Sequence, residues 1–274
     1  MLERHVAPAK TLAEPARRTP TNGRGLVGWL ALRHSLRVEA AVVLVLYGLY
    51  ETSRGLVAGD PAPAVRHART IASLERSLHV FVEADVQHAA RSLPGLIGAL
   101  GILYLTLHLA VTGSYLLWLH RRRPTAFPLV RTTLLIASAL ALIGYVAFPT
   151  APPRIAALGI ADTISAGHVD LNHGLVSSVY NPFAAVPSMH VGYAVIVAAS
   201  LLRHGGRPAL RVIGGLYPLL VLLVIVATGN HFLIDALAGA AVAAVAGAAA
   251  AVAVTFRRGP RRQAALARPL HEFG

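Results

Sequence analysis

Cysteine is absent from this chain, which excludes a disulfide framework and any thiolate metal site. Lysine is all but absent, since Lys10 is the only one. Charge of either sign is scarce: Asp, Glu, Lys and Arg together make up 14% of the residues, where an ordinary soluble domain carries about 25%. What fills the space is apolar. Hydrophobic residues reach 55% and the mean hydropathy is +0.59, so the composition is that of an integral membrane protein. The formal net charge of +13 is almost entirely arginine. A basic chain raises the question of nucleic acid, but these arginines are scattered through short segments between apolar runs. That is the pattern of membrane orientation, and no nucleic-acid partner is expected. The first long apolar run begins near residue 38, after a polar leader too long for a secretory signal peptide.

The expected fold is all-α: a polytopic membrane protein with six transmembrane helices and outer interfacial helices. The apolar runs place the spans near 38–57, 94–119, 128–148, 187–203, 209–228 and 231–255, each close to the ~20 residues that cross the hydrocarbon. The fourth opens at Pro187, a residue favoured in the first helical turn. The sixth carries Gly239, Ala243 and Gly247 at four-residue spacing, a stripe that lets helices approach closely. Residues 1–23 read as a disordered tail, 24–37 as a basic amphipathic surface segment, 38–257 as the membrane catalytic domain and 258–274 as a second basic tail. With both termini cytoplasmic, 19 of the 25 basic residues lie inside, as the positive-inside rule requires. Trp29 and Trp118 then fall near the inner interface. Residues 58–93 and 149–186 become the long outer connections, the first holding Ile71, Leu74, Leu78 and Val82 at spacings suited to one or two interfacial helices.

Three polar strings meet the outer ends of spans: Phe148-Pro149-Thr150-Ala151-Pro152-Pro153-Arg154, Pro187-Ser188-Met189-His190 and Gly229-Asn230-His231-Phe232-Leu233-Ile234-Asp235. Topology alone brings them to one depth. Singly, each has a bland reading: Arg154 as a snorkelling side chain, His190 as a satisfied interfacial histidine, the prolines as punctuation. His231 and Asp235, four apart and therefore on one face of a helix, are harder to dismiss. An aspartate one turn inside a span costs about 2.5–3.5 kcal/mol on insertion scales, and a partner at helical spacing explains it. Two histidines with an orienting carboxylate point to nucleophilic and acid–base chemistry at a membrane surface. Glu51 and Arg54, three apart, read as an ion pair or as headgroup ligands. Tyr180 and Asn181 read as substrate contacts or an ordinary turn. Glu75, Glu83 and Gln87 stand out in the outer connection without a role.

Arg154, then Pro187-Ser188-x-His190, then His231-x-x-x-Asp235 resembles the type 2 phosphatidic acid phosphatase superfamily. The strings FPTAPPR, AAVPSMHVGYA and TGNHFLIDALAG are more similar to its inositol phosphorylceramide synthase-like branch. The resemblance covers roughly residues 40–255 and implies a six-helix core and a phosphohistidine intermediate. By that resemblance His231 is the nucleophile, Asp235 orients it, His190 is the general acid and then base, and Arg154 grips the phosphate. Ser188 can add a hydroxyl donor. Two cationic positions of the phosphatase pattern are missing, held here by Ala147 and Ile225, a departure that the synthase-like branch shares. The implied activity is transfer of a phospho-headgroup such as phosphoinositol between lipids, with hydrolysis of a lipid or polyprenyl phosphate as the alternative. The implied partners are a phospholipid or other lipid phosphate and the bilayer. The implied place is the plasma membrane, with the site on the extracytoplasmic side and no metal or cofactor. A two-histidine, one-carboxylate metal site at His190, His231 and Asp235 and a transporter pathway lined by the same groups are the readings from other classes.

Overall fold

The computed structural model describes residues 61–163 and 181–266, with side chains through 254, and isolated helical positions at 41, 44, 45 and 48. The expected tail 1–23, the segment 24–37, nearly all of the first span and residues 267–274 lie outside the described residues. Among the described residues from 61 onward, seven helices follow in order: α1 (Pro61–Ser77), α2 (Glu83–Ser92), α3 (Leu96–Arg122), α4 (Phe127–Ala147), α5 (Met189–His204), α6 (Pro208–Ala227) and α7 (Leu233–Leu266). Among the described residues there is no strand, only a single parallel bridge between Thr150 and Ala184.

Four of these helices are long and apolar enough to cross a membrane: α3, α4, α6 and α7 over Leu233–Val254. The protein is a membrane protein of all-helical class. Of the six expected spans, the first falls almost wholly outside the described residues. The fourth, α5, has 16 residues. At a 1.5 Å rise that is roughly 24 Å, short of the ~30 Å hydrocarbon.

Local chemistry sets the boundaries. α4 and α6 each begin with a proline in the first turn, where its missing N–H is not needed. α4 stops before Pro149, which cannot continue it. α5 differs from the expectation: it begins at Met189 with Ser188 as its N-cap, so Pro187 lies outside the helix. Pro187 is instead held by tertiary contact. Its ring sits so near Gly144 of α4 that a Cβ there would meet Pro187 Cδ at 2.8 Å, and the Tyr145 hydroxyl donates to its carbonyl at 3.1 Å.

α5 is the centre of the bundle, packed on α6 and α7 and more lightly on α3 and α4, while α4 lies along α7. Tyr115, Leu134, Ala137, Val197, Val224 and Ala246 are among the buried residues that join them. Of the small-residue stripe of α7, Gly239 makes a close approach, while Gly247 has only an ordinary contact with Thr133 at 3.9 Å. A Cβ on Gly239 would collide with the Ser188 carbonyl, and one on Gly192 would meet the Gly239 carbonyl at 3.2 Å.

The connection expected on the outer side holds two helices, α1 and α2, and on α1 the expected apolar positions divide, with Ile71 buried. Leu74 and Leu78 are exposed, whereas Ala64, Ala68, Ala72 and Glu75 have no exposed surface. Small side chains win that face because α1 packs closely on the loop after α4, against Ala151, Ala156 and Phe232. The far end of the bundle carries Arg121 and Arg122 of α3 and Arg203 of α5. Arg123 after α3 comes within 3.7 Å of where a Gly206 Cβ would stand, so the α3–α4 and α5–α6 connections share that end.

Candidate active site

The three polar strings converge at the end of the bundle where α4 finishes and α5 and α7 begin. The convergence is stitched by backbone. Thr150 N donates to Phe183 O at 2.7 Å and Ala185 N to Thr150 O at 3.2 Å, which ties the Arg154 loop to the chain leading into α5. Ser188 N donates to Asp235 O at 2.9 Å, which ties that chain to α7. Arg154 N donates to Gly229 O at 3.0 Å. Gly229 takes φ +67°, a conformation glycine adopts without penalty, and the turn it makes delivers Asn230 and His231.

His231 does not sit on a helix. α7 begins at Leu233, so the expected pairing of His231 with Asp235 is made from the turn before the helix and not along a helix face. Asp235 stands in the first turn and reaches back: Oδ2 accepts from Phe232 N at 2.9 Å and lies 3.3 Å from His231 Nδ1. Nδ1 is also 3.0 Å from the Ala185 carbonyl. A carbonyl and a carboxylate only accept, so Nδ1 of a neutral ring must carry the hydrogen. The lone pair is therefore on Nε2. Phe232, wholly buried, contributes about 1.5–3 kcal/mol by its burial and fixes this turn beneath α1.

Two further carboxylates hold the same turn. Glu83 Oε1 of α2 accepts from Leu233 N at 3.1 Å, and Glu75 Oε1 of α1 accepts from Ile234 N at 2.8 Å. Three successive N–H groups at the start of α7 are thus each taken by a carboxylate from a different turn or helix. Such groups otherwise form a ready anion site; here protein carboxylates fill it. The two glutamates stood out in the sequence, in the connection expected to lie on the outer side, and the groups they hold become visible only with α1 and α2 folded over α7.

His190, in the first turn of α5, faces His231 with ring centroids 5.6 Å apart. Its ring is stacked on Tyr104 at 4.5 Å and meets the edge of His108 at 4.2 Å. Tyr104 and His108 are four apart on α3 and form one wall of the site. Sequence reasoning missed both, because a tyrosine and a histidine within a long apolar helix carry no local signal of a partner 80 residues away.

Arg154 is buried and pre-aimed. Nε donates to Asn230 Oδ1 at 3.0 Å and Nη1 to Asp162 Oδ2 at 2.8 Å. Asn230 in turn donates to Thr228 Oγ1 at 2.8 Å. Asp162 and Asn230 were not singled out as site residues in the sequence. Ser188 is wholly enclosed, and its Oγ has no hydrogen-bond partner among the described residues. Asn181 is buried, with Oδ1 accepting from Phe183 N at 2.8 Å in a turn. Tyr180, Glu51 and Arg54 lie outside the described residues. At the two missing cationic positions, Ala147 ends α4 and Ile225 is fully buried. The Ile225 carbonyl accepts from Asn230 N at 3.0 Å and His231 N at 3.3 Å. Among the described residues, no group of three His, Cys, Asp or Glu is arranged to hold a metal ion.

The family model of the PAP2 superfamily matches residues 69–249, from α1 to the middle of α7. No curated protein and no solved structure matches the chain.

Proposed function

Since the chain belongs to the PAP2 superfamily, whose activity is of the lipid phosphatase and phosphotransferase type, we propose that it moves a phospho-headgroup between lipids through a phosphohistidine on His231. The observation that carries this reading is the setting of His231. Nδ1 is turned to Ala185 O and Asp235 Oδ2, which leaves Nε2 unprotonated beside His190. This is the orientation that a histidine nucleophile needs.

The chemistry runs in two displacements. Nε2 attacks phosphorus and the bond from phosphorus to the lipid alcohol breaks, with His190 protonating the departing oxygen. His190 then takes the proton of an acceptor hydroxyl, whose oxygen attacks phosphorus and frees Nε2. Such transfer depends on positioning and on stabilising charge on the nonbridging oxygens. Arg154 supplies a forked donor for them, and the positive end of the α5 dipole lies beside His190. Ser188 Oγ is a further donor once the site opens to it. Asp235 holds the tautomer and stabilises the imidazolium.

Ala147 and Ile225 in place of two cations favour the inositol phosphorylceramide synthase-like branch, with phosphoinositol as the headgroup and an alcohol as acceptor. Water as acceptor would make the same site a lipid phosphatase. Headgroup contacts from Asn181, Tyr180, Glu51 and Arg54 belong to this reading. So do six spans, both termini in the cytoplasm, a plasma-membrane location and a site facing outward, the orientation favoured by the arginine distribution.

The test is to incubate purified protein with headgroup-labelled phospholipids and polyprenyl phosphates, with and without alcohol acceptors. We expect an acid-labile phosphoryl adduct that is lost in His231→Ala, and labelled lipid product only when an alcohol is present. Release of free phosphate alone would reassign the protein as a phosphatase. Turnover that survives His231→Ala would remove the phosphohistidine altogether.

A further inference from the structure

Glu75 and Glu83 are both fully buried, one from each interfacial helix. Each spends one oxygen on the start of α7, on Ile234 N and Leu233 N respectively. The second oxygen of each, Oε2, is buried with no hydrogen-bond partner among the described residues. Two ionised carboxylates enclosed together, each with an idle oxygen, would be a costly arrangement. A proton shared between them removes one charge and satisfies both idle oxygens, and a hydrogen is the one atom that heavy-atom geometry does not display.

We propose that Glu75 and Glu83 form a proton-sharing acid pair that positions the His231 turn, so that the interfacial helices act on the nucleophile through the backbone of residues 233 and 234. Neither glutamate touches substrate in this role; both are positioning residues. The inference rests on the phosphohistidine reading only for what the positioned histidine does.

The surroundings agree. Burial, the negative charge of Glu83 with a hydrogen bond to it, and Asp235 together push the Glu75 carboxyl up from 4.5 to about 8, against the lowering effect of the Ile234 N–H. The acidic groups that act on it are therefore Glu83 from α2 and Asp235 from α7. His231 stands behind Asp235, and in the loop packed on α1 the Arg154 guanidinium is paired with Asp162. A neutral Glu75 has a second consequence: one fewer negative charge stands beside the place where an anionic phosphate must bind.

The sign of the pH dependence is fixed. An unfolded chain releases the Glu75 proton near 4.5, whereas the folded protein keeps it to about 8. Between those values the folded state binds more protons, so this group makes stability fall as pH rises, and the fall ends above the upper value.

The experiment compares full-length wild type, E75Q, E75A and E83Q in detergent micelles, by melting temperature across pH and by kcat and KM. A glutamine at 75 can still accept from Ile234 N–H and can donate to Glu83, but it cannot titrate. We expect E75Q to keep kcat within about threefold of wild type, and its melting temperature to gain on wild type steadily from about pH 5 to about pH 8. E75A should lose at least about tenfold in kcat with KM within about threefold, because Ile234 N–H loses its acceptor. E83Q removes one of the causes that raise Glu75 but leaves Glu75 to titrate, so its gain on wild type should be smaller than that of E75Q. Parallel melting curves for wild type and E75Q would overturn the shared proton, and full kcat in folded E75A would overturn the positioning role. The melting arm is read without turnover, so it stands or falls independently of the His231→Ala test.

Discussion

Asp235 Oδ2 lies 3.3 Å from His231 Nδ1 and 2.9 Å from the nitrogen of Phe232. One carboxylate oxygen therefore orients the imidazole and caps the helix that follows it. These two duties separate on mutation. In Asp235→Asn, the amide oxygen can take the place of Oδ2 and still accept from Phe232 N and from the ring, but the negative charge that stabilises the imidazolium is gone. We expect a folded protein whose kcat is down by at least about tenfold, because the ring becomes cationic without its counter-charge. Asp235→Ala removes the cap as well and should also lower the melting temperature. Equal melting temperatures for the two variants would show that the cap carries no weight.

His190 is gripped by two rings of α3, stacked on Tyr104 and edge-on to His108. Aromatic contacts of this kind contribute about 0.5–1.5 kcal/mol beyond their burial. Tyr104→Ala removes one wall and should lower kcat about tenfold, with a smaller effect on the binding of a lipid held mainly by its headgroup and chains. Tyr104→Phe keeps the ring and should retain most of the rate. Steady-state kinetics on the two variants decide the matter, and indistinguishable rates would mean that stacking does not position His190.

Much of this arrangement was legible in the residues. A histidine, serine and arginine at the ends of apolar runs are brought to one level by helix length alone, which is why Arg154, His190 and His231 were found together. The start of α7 was misplaced by two residues because the apolar pattern runs through Phe232, whereas the N–H groups of residues 232–234 are capped by Asp235, Glu83 and Glu75. The exposure of Leu74 and the burial of Glu75 were illegible for a related reason. Periodicity reports how apolar a face is, whereas α1 sets small residues against the loop after α4 and sends a carboxylate to the first turn of α7, almost 160 residues away in the chain. Tyr104 and His108 lie in a helix whose composition is lipid-like throughout, so only packing reveals them.

The metal reading makes a contrary prediction. A metal ion needs lone pairs from both histidines and an oxygen from Asp235. His231 keeps a lone pair on Nε2, but Asp235 does not offer the third ligand: it is wholly enclosed, with Oδ2 on Phe232 N and against His231 Nδ1. Prolonged dialysis against EDTA should therefore leave turnover within about twofold of the untreated enzyme, where loss of an essential ion would abolish it. Loss of activity restored by a divalent cation would bring back the two-histidine, one-carboxylate site.

The closest helix approach in the site predicts a paired result from two glycines. Gly239 of α7 lies against the Ser188 carbonyl, so a methyl group there cannot be accommodated without moving α5 away from α7. Since Ser188 N also donates to Asp235 O, that movement separates His190 from His231. Gly239→Ala should cost about 1–3 kcal/mol of stability, the range for overpacking, and should lower kcat by more than the fraction of unfolded protein explains. Gly98 of α3 meets nothing within 4 Å of its would-be Cβ and lies in a helix. Gly98→Ala should therefore stabilise by about 0.4–1 kcal/mol with unchanged kinetics. Melting curves and rates for the two variants separate close packing at the site from a general intolerance of glycine replacement. If Gly239→Ala were as harmless as Gly98→Ala, α5 and α7 would not be locked at Ser188.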